Sequence, residues 1–192
     1  MKKFCLLLAA VIILNMAVFA GAETLSLFDQ LKGRTFIFAS GVGGWYTEVT
    51  FGEDGFFTGS HRDSELGDIG EGYPDGSVYG CLFHGQLSDP VMVDAYTWTA
   101  AITVEKNEGQ APEAIEDGIR YVTAEPYGME KAQAVTVFLP GTPVENLPEG
   151  FLFWAHLHED DSQVKTLPFY AIWSEEDEAG FIDDTIANPG ES

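Results

Sequence analysis

Cysteine is almost missing from this chain: Cys5 and Cys81 are the only two among 192 residues. Cys5 falls inside an N-terminal apolar run, so Cys81 is left alone and no internal disulfide can staple the fold. The folded body must therefore stand on its own core, with Cys81 expected as a small core residue. Basic residues are scarce too. Nine Lys and Arg stand against 31 Asp and Glu, a net charge of −22. That balance repels phosphate backbones and anionic membrane surfaces, which argues against nucleic acid and leaves cations, basic proteins and neutral molecules as partners. Catalytic signatures are also lacking. Ser40 in "FASGVGG" has no glycine two residues before it, so it makes no nucleophile elbow, and the same glycines lack the Gly-Lys-Ser/Thr ending of a phosphate loop. They join two extended segments instead of opening a helix, which excludes a dinucleotide fingerprint. With 31 acids present, no carboxylate pair singles itself out for glycoside hydrolysis. No catalytic residue is expected, and a hydrolase ranks third among the functional readings.

The one long apolar run is at the start. Lys2 and Lys3 precede Phe4 to Leu14, and Ala20-Gly21-Ala22 supplies small residues at cleavage spacing. Residues 1–22 read as a secretory signal peptide, with a mature chain from Glu23 that is secreted, or periplasmic where the source has an outer membrane, and free of the membrane after cleavage. Removing Lys2 and Lys3 leaves seven bases facing the 31 acids. The remainder is long enough for one compact domain, residues 23–178, burying about 70% of its unfolded surface. Residues 179–192, within "EEDEAGFIDDTIANPGES", read as an acidic C-terminal tail, and a monomer is expected.

Turn residues punctuate the rest about every ten positions, and period-two alternation dominates, which points to an all-β domain. In "YTWTAAITVEK", Tyr96, Trp98, Ala100, Ile102 and Val104 alternate with a largely polar set. "VYGCLFHGQLS" places Tyr79, Cys81, Phe83 and Leu87 on one face, with "DPVMVDA" as its connection onward. "GWYTEVTFGEDGFFTGSHR" is a hairpin in which Glu53-Asp54-Gly55 makes a type I turn with a Gly55 bulge, setting Phe51 opposite Phe57. In that register Trp45, Thr47, Val49 and Phe51 share an inward face with Phe57, Gly59 and His61. Further strands are expected at "RTFIFAS", "GIRYVT", "QAVTVFLP" and "LPFYAIWS", making about eight. Eight antiparallel strands close an up-and-down barrel whose interior is either filled or hollow, and a two-sheet sandwich is the alternative. "KNEGQAPEAIED" and "HEDDSQVK" read as polar connections, and one short helix is expected near residues 147–157.

The segment "LKGRTFIFASGVGGWYTEVTFGEDGFFTG", within residues 31–60, resembles the first strands of lipocalin-like β-barrel domains in exported bacterial proteins, although Thr35 stands where lipocalins carry a tryptophan. The stretches "GEGYPDGSVYGC" and "LPFYAIW" are also similar to exported proteins of Gram-positive bacteria. The lipocalin-like resemblance implies a barrel that binds small apolar or amphipathic molecules at its mouth.

Two kinds of site follow. Aromatic residues on inward faces (Trp45, Tyr79, Phe83, Tyr96, Trp98, Phe169 and Trp173) can pack a core or line a pocket. Trp45, His61, Tyr79 and Trp98 are the candidate ligand-binding residues, for a small neutral or amphipathic molecule held under the loop from Arg62 to Ser77. That loop, "HRDSELGDIGEGYPDGSVYG" with its flanks, carries five carboxylates and five glycines. Asp63, Asp68 and Glu71 are candidate Ca2+ ligands, which would make the protein a calcium-stabilised interaction module, though the spacing is not that of an EF-hand. His156 and His158, beside Glu159, Asp160 and Asp161, have alternate spacing that would suit a transition metal on an extended segment.

Overall fold

The computed structural model describes residues 25–155, 157 and 164–184. The proposed signal peptide and the His156-x-His158 cluster lie outside the described residues. Ten strands form one sheet: β1 (Thr35–Ala39), β2 (Trp45–Phe51), β3 (Phe56–Glu65), β4 (Ser77–Met92), β5 (Thr97–Lys106), β6 (Glu113–Glu116), β7 (Ile119–Thr123), β8 (Ala134–Phe138), β9 (Ala171–Ser174) and β10 (Ala179–Asp183). Eight of them, β1-β2-β3-β4-β5-β8-β9-β10, close into an antiparallel barrel through the β1–β10 and β3–β4 pairings. The expected all-β up-and-down barrel is therefore the architecture, and closure leaves the ring no free edge.

Membership of the ring differs from expectation at one strand. "GIRYVT" does form β7, but it pairs parallel with the first residues of β4, and with β6 makes a hairpin outside the ring. The eighth ring strand is instead β10, within the stretch read as an acidic tail, while residues beyond 184 lie outside the described ones. Gly180 and Ile182 on β10 are covered from outside as Ala179 and Phe181 are from inside, so the strand shows no alternation for a sequence pattern to detect. Two connections were also read too conservatively. β6 lies within "KNEGQAPEAIED", and β4 runs on to Met92 through a register irregularity between Ser88 and Val91.

The β2–β3 hairpin has the expected register, with Phe51 opposite Phe57 and Thr47 opposite His61. Its turn differs in detail: Asp54 and Gly55 both have positive φ (54° and 78°), the signature of a type I′ turn, whose twist matches that of the strands. Glycines at Gly59 and Gly85 make the core possible. A Cβ on Gly59 would strike the buried Phe83 ring, and one on Gly85 would strike the Phe57 ring. Each aromatic packs against the bare backbone of the glycine opposite it on the neighbouring strand.

The interior is filled along most of its length. Phe36, Phe57, Phe83 and Phe181 are fully buried there with Val49, Leu87 and Ile172. Edge-to-face contacts, such as Phe36–Phe51 at 5.7 Å and Phe57–Phe83 at 6.5 Å, tie the rings together. The end of the barrel at the β2–β3 turn is stoppered by helix α1 (Leu27–Leu31), which the sequence reading did not anticipate. Ser26 caps it, accepting from the Asp29 N–H while its hydroxyl donates to the Asp29 carboxylate, and Leu27 and Leu31 enter the core.

The expected short helix is α2 (Glu149–Trp154), with Pro148 at its N-cap position and a 3-10 turn at Val144–Asn146 before it. It covers the outer face of β8, β9 and β10 through a second cluster of Phe138, Leu147, Phe151, Leu167, Phe169 and Trp173. Phe169 and Trp173 thus pack outside the barrel, contrary to the inward placement expected for them. Tyr96 also departs from expectation: it precedes β5, is 43% exposed, and rests against Gly141. No helix among the described residues is long and apolar enough to cross a membrane.

Candidate functional site

Antiparallel alternation gathers the connections 40–44, 66–76, 107–133 and 175–178 at the end of the barrel opposite α1. A cavity of about 440 Å³ opens there, above the packed interior. Trp45 from the start of β2, His61 and Asp63 from the end of β3, and Tyr79 from β4 supply one side. Ala124, Glu125, Tyr127 and Glu130, from the connection between β7 and β8, supply the other. That connection is anchored by Met129, which is buried in the core, and by Gly128, whose backbone lies against the Phe38 ring.

The aromatic wall is built on the core beneath it. Trp45 packs edge-on against Tyr127 at 5.0 Å and tilted against Phe38 at 4.9 Å, and Trp154 of α2 packs edge-on against the same phenylalanine at 4.7 Å. Packing on both sides holds these rings in place before any ligand arrives, which is how a preformed pocket keeps its shape.

His61 is the most constrained polar group at the mouth. It is 8% exposed, its ring lies 6.0 Å from that of Tyr127, and its Nδ1 lies 2.9 Å from the Thr47 hydroxyl and 3.1 Å from the Tyr46 carbonyl oxygen. The Thr47 hydroxyl donates its proton to the Tyr127 carbonyl at 2.7 Å, so towards His61 it can only accept. Both neighbours of Nδ1 are acceptors, and the network assigns the proton to Nδ1. Nε2 is left as a lone-pair acceptor with no hydrogen-bond partner among the described residues, on a ring that lines the cavity. Burial pushes the imidazole below its ordinary value, against the opposing pull of the Tyr46 carbonyl, Asp63 and Glu130, so it is neutral at physiological pH.

The acidic groups divide by partner. Glu125 is paired with Lys106 at 2.5 Å, and Glu130 lies 3.9 Å from Lys131. Asp63, half-buried beside His61, has no ion-pair partner among the described residues.

The glycine-rich acidic loop is tied to protein groups. β3 continues to Glu65, so the connection is residues 66–76. Its Asp68 accepts from the Tyr79 hydroxyl at 2.6 Å and pairs with Arg120 of β7, which also donates to Tyr79 at 2.9 Å and to Ser77 at 3.0 Å and stacks over Tyr73 at 4.8 Å. The Tyr79 hydrogen bond, with help from Ser77 and Arg120, holds the Asp68 carboxyl below its ordinary value. Asp75 adds a second tie, its N–H donating to the Gly118 carbonyl at 3.0 Å.

Of the four residues expected to bind a ligand, Trp45, His61 and Tyr79 meet at the cavity. Trp98 does not. It pairs with Met92 and Val137 at the far end of the barrel and packs on the core there. Asp63, Asp68 and Glu71 do not converge: Asp63 lines the cavity, Asp68 is bound to Arg120, and Glu71 is exposed. Among the described residues no group of three His, Cys, Asp or Glu side chains could hold a metal ion. Tyr127, Glu125 and Glu130 were not anticipated, because "AEPYGMEK" follows no strand or helix period.

Among the described residues no hydroxyl or thiol hydrogen-bonds His61 Nε2: the nearby Thr47 hydroxyl is spent on Tyr127, and the Cys81 thiol is pushed up to about 11 by burial. What this arrangement can do is accept a hydrogen bond, stack and attract positive charge. A second depression, about 310 Å³, lies on the outer face of β2–β4 between Tyr46, Arg62, Leu82 and Tyr121. No protein-family model matches the chain, and neither a curated protein nor a solved structure matches it.

Proposed function

We propose that the protein is an exported, non-catalytic, lipocalin-like β-barrel that holds one small amphipathic molecule at its mouth. The observation that carries this reading is the cavity of about 440 Å³, walled by Trp45, Tyr79 and Tyr127 and lined by a buried His61 whose Nε2 has no hydrogen-bond partner among the described residues. Preformed aromatic walls with few convergent polar groups are the ordinary anatomy of a small-molecule site. Because the space below is filled by phenylalanines, the occupant sits in the mouth and does not descend into the barrel as it would in a hollow carrier. Export is part of the proposal and rests on the basic, apolar and small-residue order of residues 1–22.

Neither a calcium-loaded module nor a hydrolase gains support from an arrangement of groups. The carboxylate best placed in the acidic loop is engaged by Arg120, and among the described residues no hydroxyl or thiol hydrogen-bonds His61 Nε2. The test is a fluorescence titration with the neutral probe N-phenyl-1-naphthylamine. Saturable quenching of tryptophan emission is expected, and Ala124→Trp, which fills the cavity without removing a side-chain contact, should abolish it. Equal binding to the filled variant, or no binding to either protein, contradicts the proposal.

A further inference from the structure

Building on the mouth-binding reading, we propose that the bound molecule carries a protonated primary amine, with the nitrogen placed among Asp63, Glu130 and His61 and the apolar part against Trp45 and Tyr127. Three observations converge on this. Among the described residues no Lys or Arg lines the cavity, whereas three carboxylates do. Glu125 is already neutralised by Lys106, but Asp63 has no cationic partner among the described residues, and the nearest lysine to Glu130 is exposed and 3.9 Å away. His61, nine-tenths buried, offers Nε2 as an acceptor, and its Nδ1 proton is fixed by two acceptors behind it. The cavity therefore calls for a donor. A carboxylate or phosphate could take a hydrogen bond from the Trp45 indole or the Tyr127 hydroxyl, but only against three carboxylates with no lining cation to offset them, and a neutral alcohol would satisfy Nε2 while leaving Asp63 without a counterion.

The walls suit the same head group. Trp45 and Tyr127 line the same cavity as these carboxylates, and the alkyl chain beside the ammonium packs on their aromatic surface. An ammonium head with a short apolar chain thus answers the open acceptor of His61 and the unpaired carboxylate of Asp63, and gives the aromatic walls an apolar partner.

The experiment compares hexylamine, hexanol, hexanoate and hexyltrimethylammonium by calorimetry on the purified protein in physiological salt, at about pH 7.5, where an alkylamine is fully protonated. One site is expected for hexylamine, with affinity about tenfold above hexanol and no detectable binding of hexanoate. Hexyltrimethylammonium has the charge but no N–H to donate, so it should bind more weakly than hexylamine. Because so acidic a chain attracts any cation diffusely, site specificity is read from variants. Asp63→Asn and Glu130→Gln should each weaken hexylamine about fivefold and leave hexanol unchanged. Hexanol binding as tightly as hexylamine, hexyltrimethylammonium binding as tightly or more so, or hexylamine indifferent to both variants would each overturn the amine assignment. If N-phenyl-1-naphthylamine still binds the mouth in those cases, the broader reading survives. If none of the probes binds, both fall. The ligand comparison needs no variant, so it stands even where a substitution impairs folding.

Discussion

Gly59 and Gly85 show how single positions set the core. Neither has a positive φ, so each is required by space and not by backbone conformation. Across from them Phe83 and Phe57 occupy the volume that a side chain would take. Gly59→Ala and Gly85→Ala are each expected to cost about 1–3 kcal/mol, the usual range for overpacking a tight core, read as a lower urea midpoint at unchanged slope. His61 works at the same scale through its proton. Its folded value lies below the ordinary 6.5, because burial disfavours the imidazolium. The unfolded chain therefore takes up the proton first as pH falls. Stability conferred by the neutral ring is complete above the unfolded value and is lost as pH drops from about 6.5 towards the lower folded value, at no more than about 1.4 kcal/mol per pH unit. Urea unfolding of the wild type and of His61→Gln between neutral and mildly acidic pH should show that slope in the wild type alone. An identical pH dependence in the two proteins would remove His61 as its source.

At the scale of elements, the connection 66–76 is the informative one. Its composition suggested a cation site, yet its carboxylate is answered by an arginine more than fifty residues on, in β7. No pattern within the loop could have disclosed this, since the partner is set by the parallel β4–β7 pairing that places Ser77 beside Arg120. The loop's order depends on that pairing and on Tyr79. Arg120→Gln is expected to raise amide hydrogen exchange across residues 66–76 by about tenfold while leaving the β2–β3 hairpin protected. Unchanged exchange in the loop would show that Arg120 does not hold it. The hairpin itself was legible down to its residue pairs, because one face is buried and period-two alternation fixes register. Helix α1 was not, since five residues are too short to display a helical period, although Ser26 and Asp29 spell its cap.

For the whole molecule, class, closure and strand number could be read from alternation and turn spacing, but not which strands close the ring. β10 carries apolar contacts on both faces, and its acidic neighbours disguise it as tail. The site divides along the same line. Trp45, His61 and Tyr79 lie on three consecutive strands with period-two patterning and could be assigned to one interior, whereas Tyr127 and Glu130 come from an irregular connection whose place only the tertiary fold sets. Alternation also reports which way a residue faces but not how far along the barrel it lies, which is why Trp98 was grouped with residues at the opposite end.

That separation supplies a direct test of the claim that binding is confined to the mouth above a filled interior. In a 15N-resolved NMR titration with N-phenyl-1-naphthylamine, the indole N–H of Trp45 should shift on binding and that of Trp98 should stay in place. A shift at Trp98, or an unmoved Trp45 in the presence of a bound probe, would contradict it.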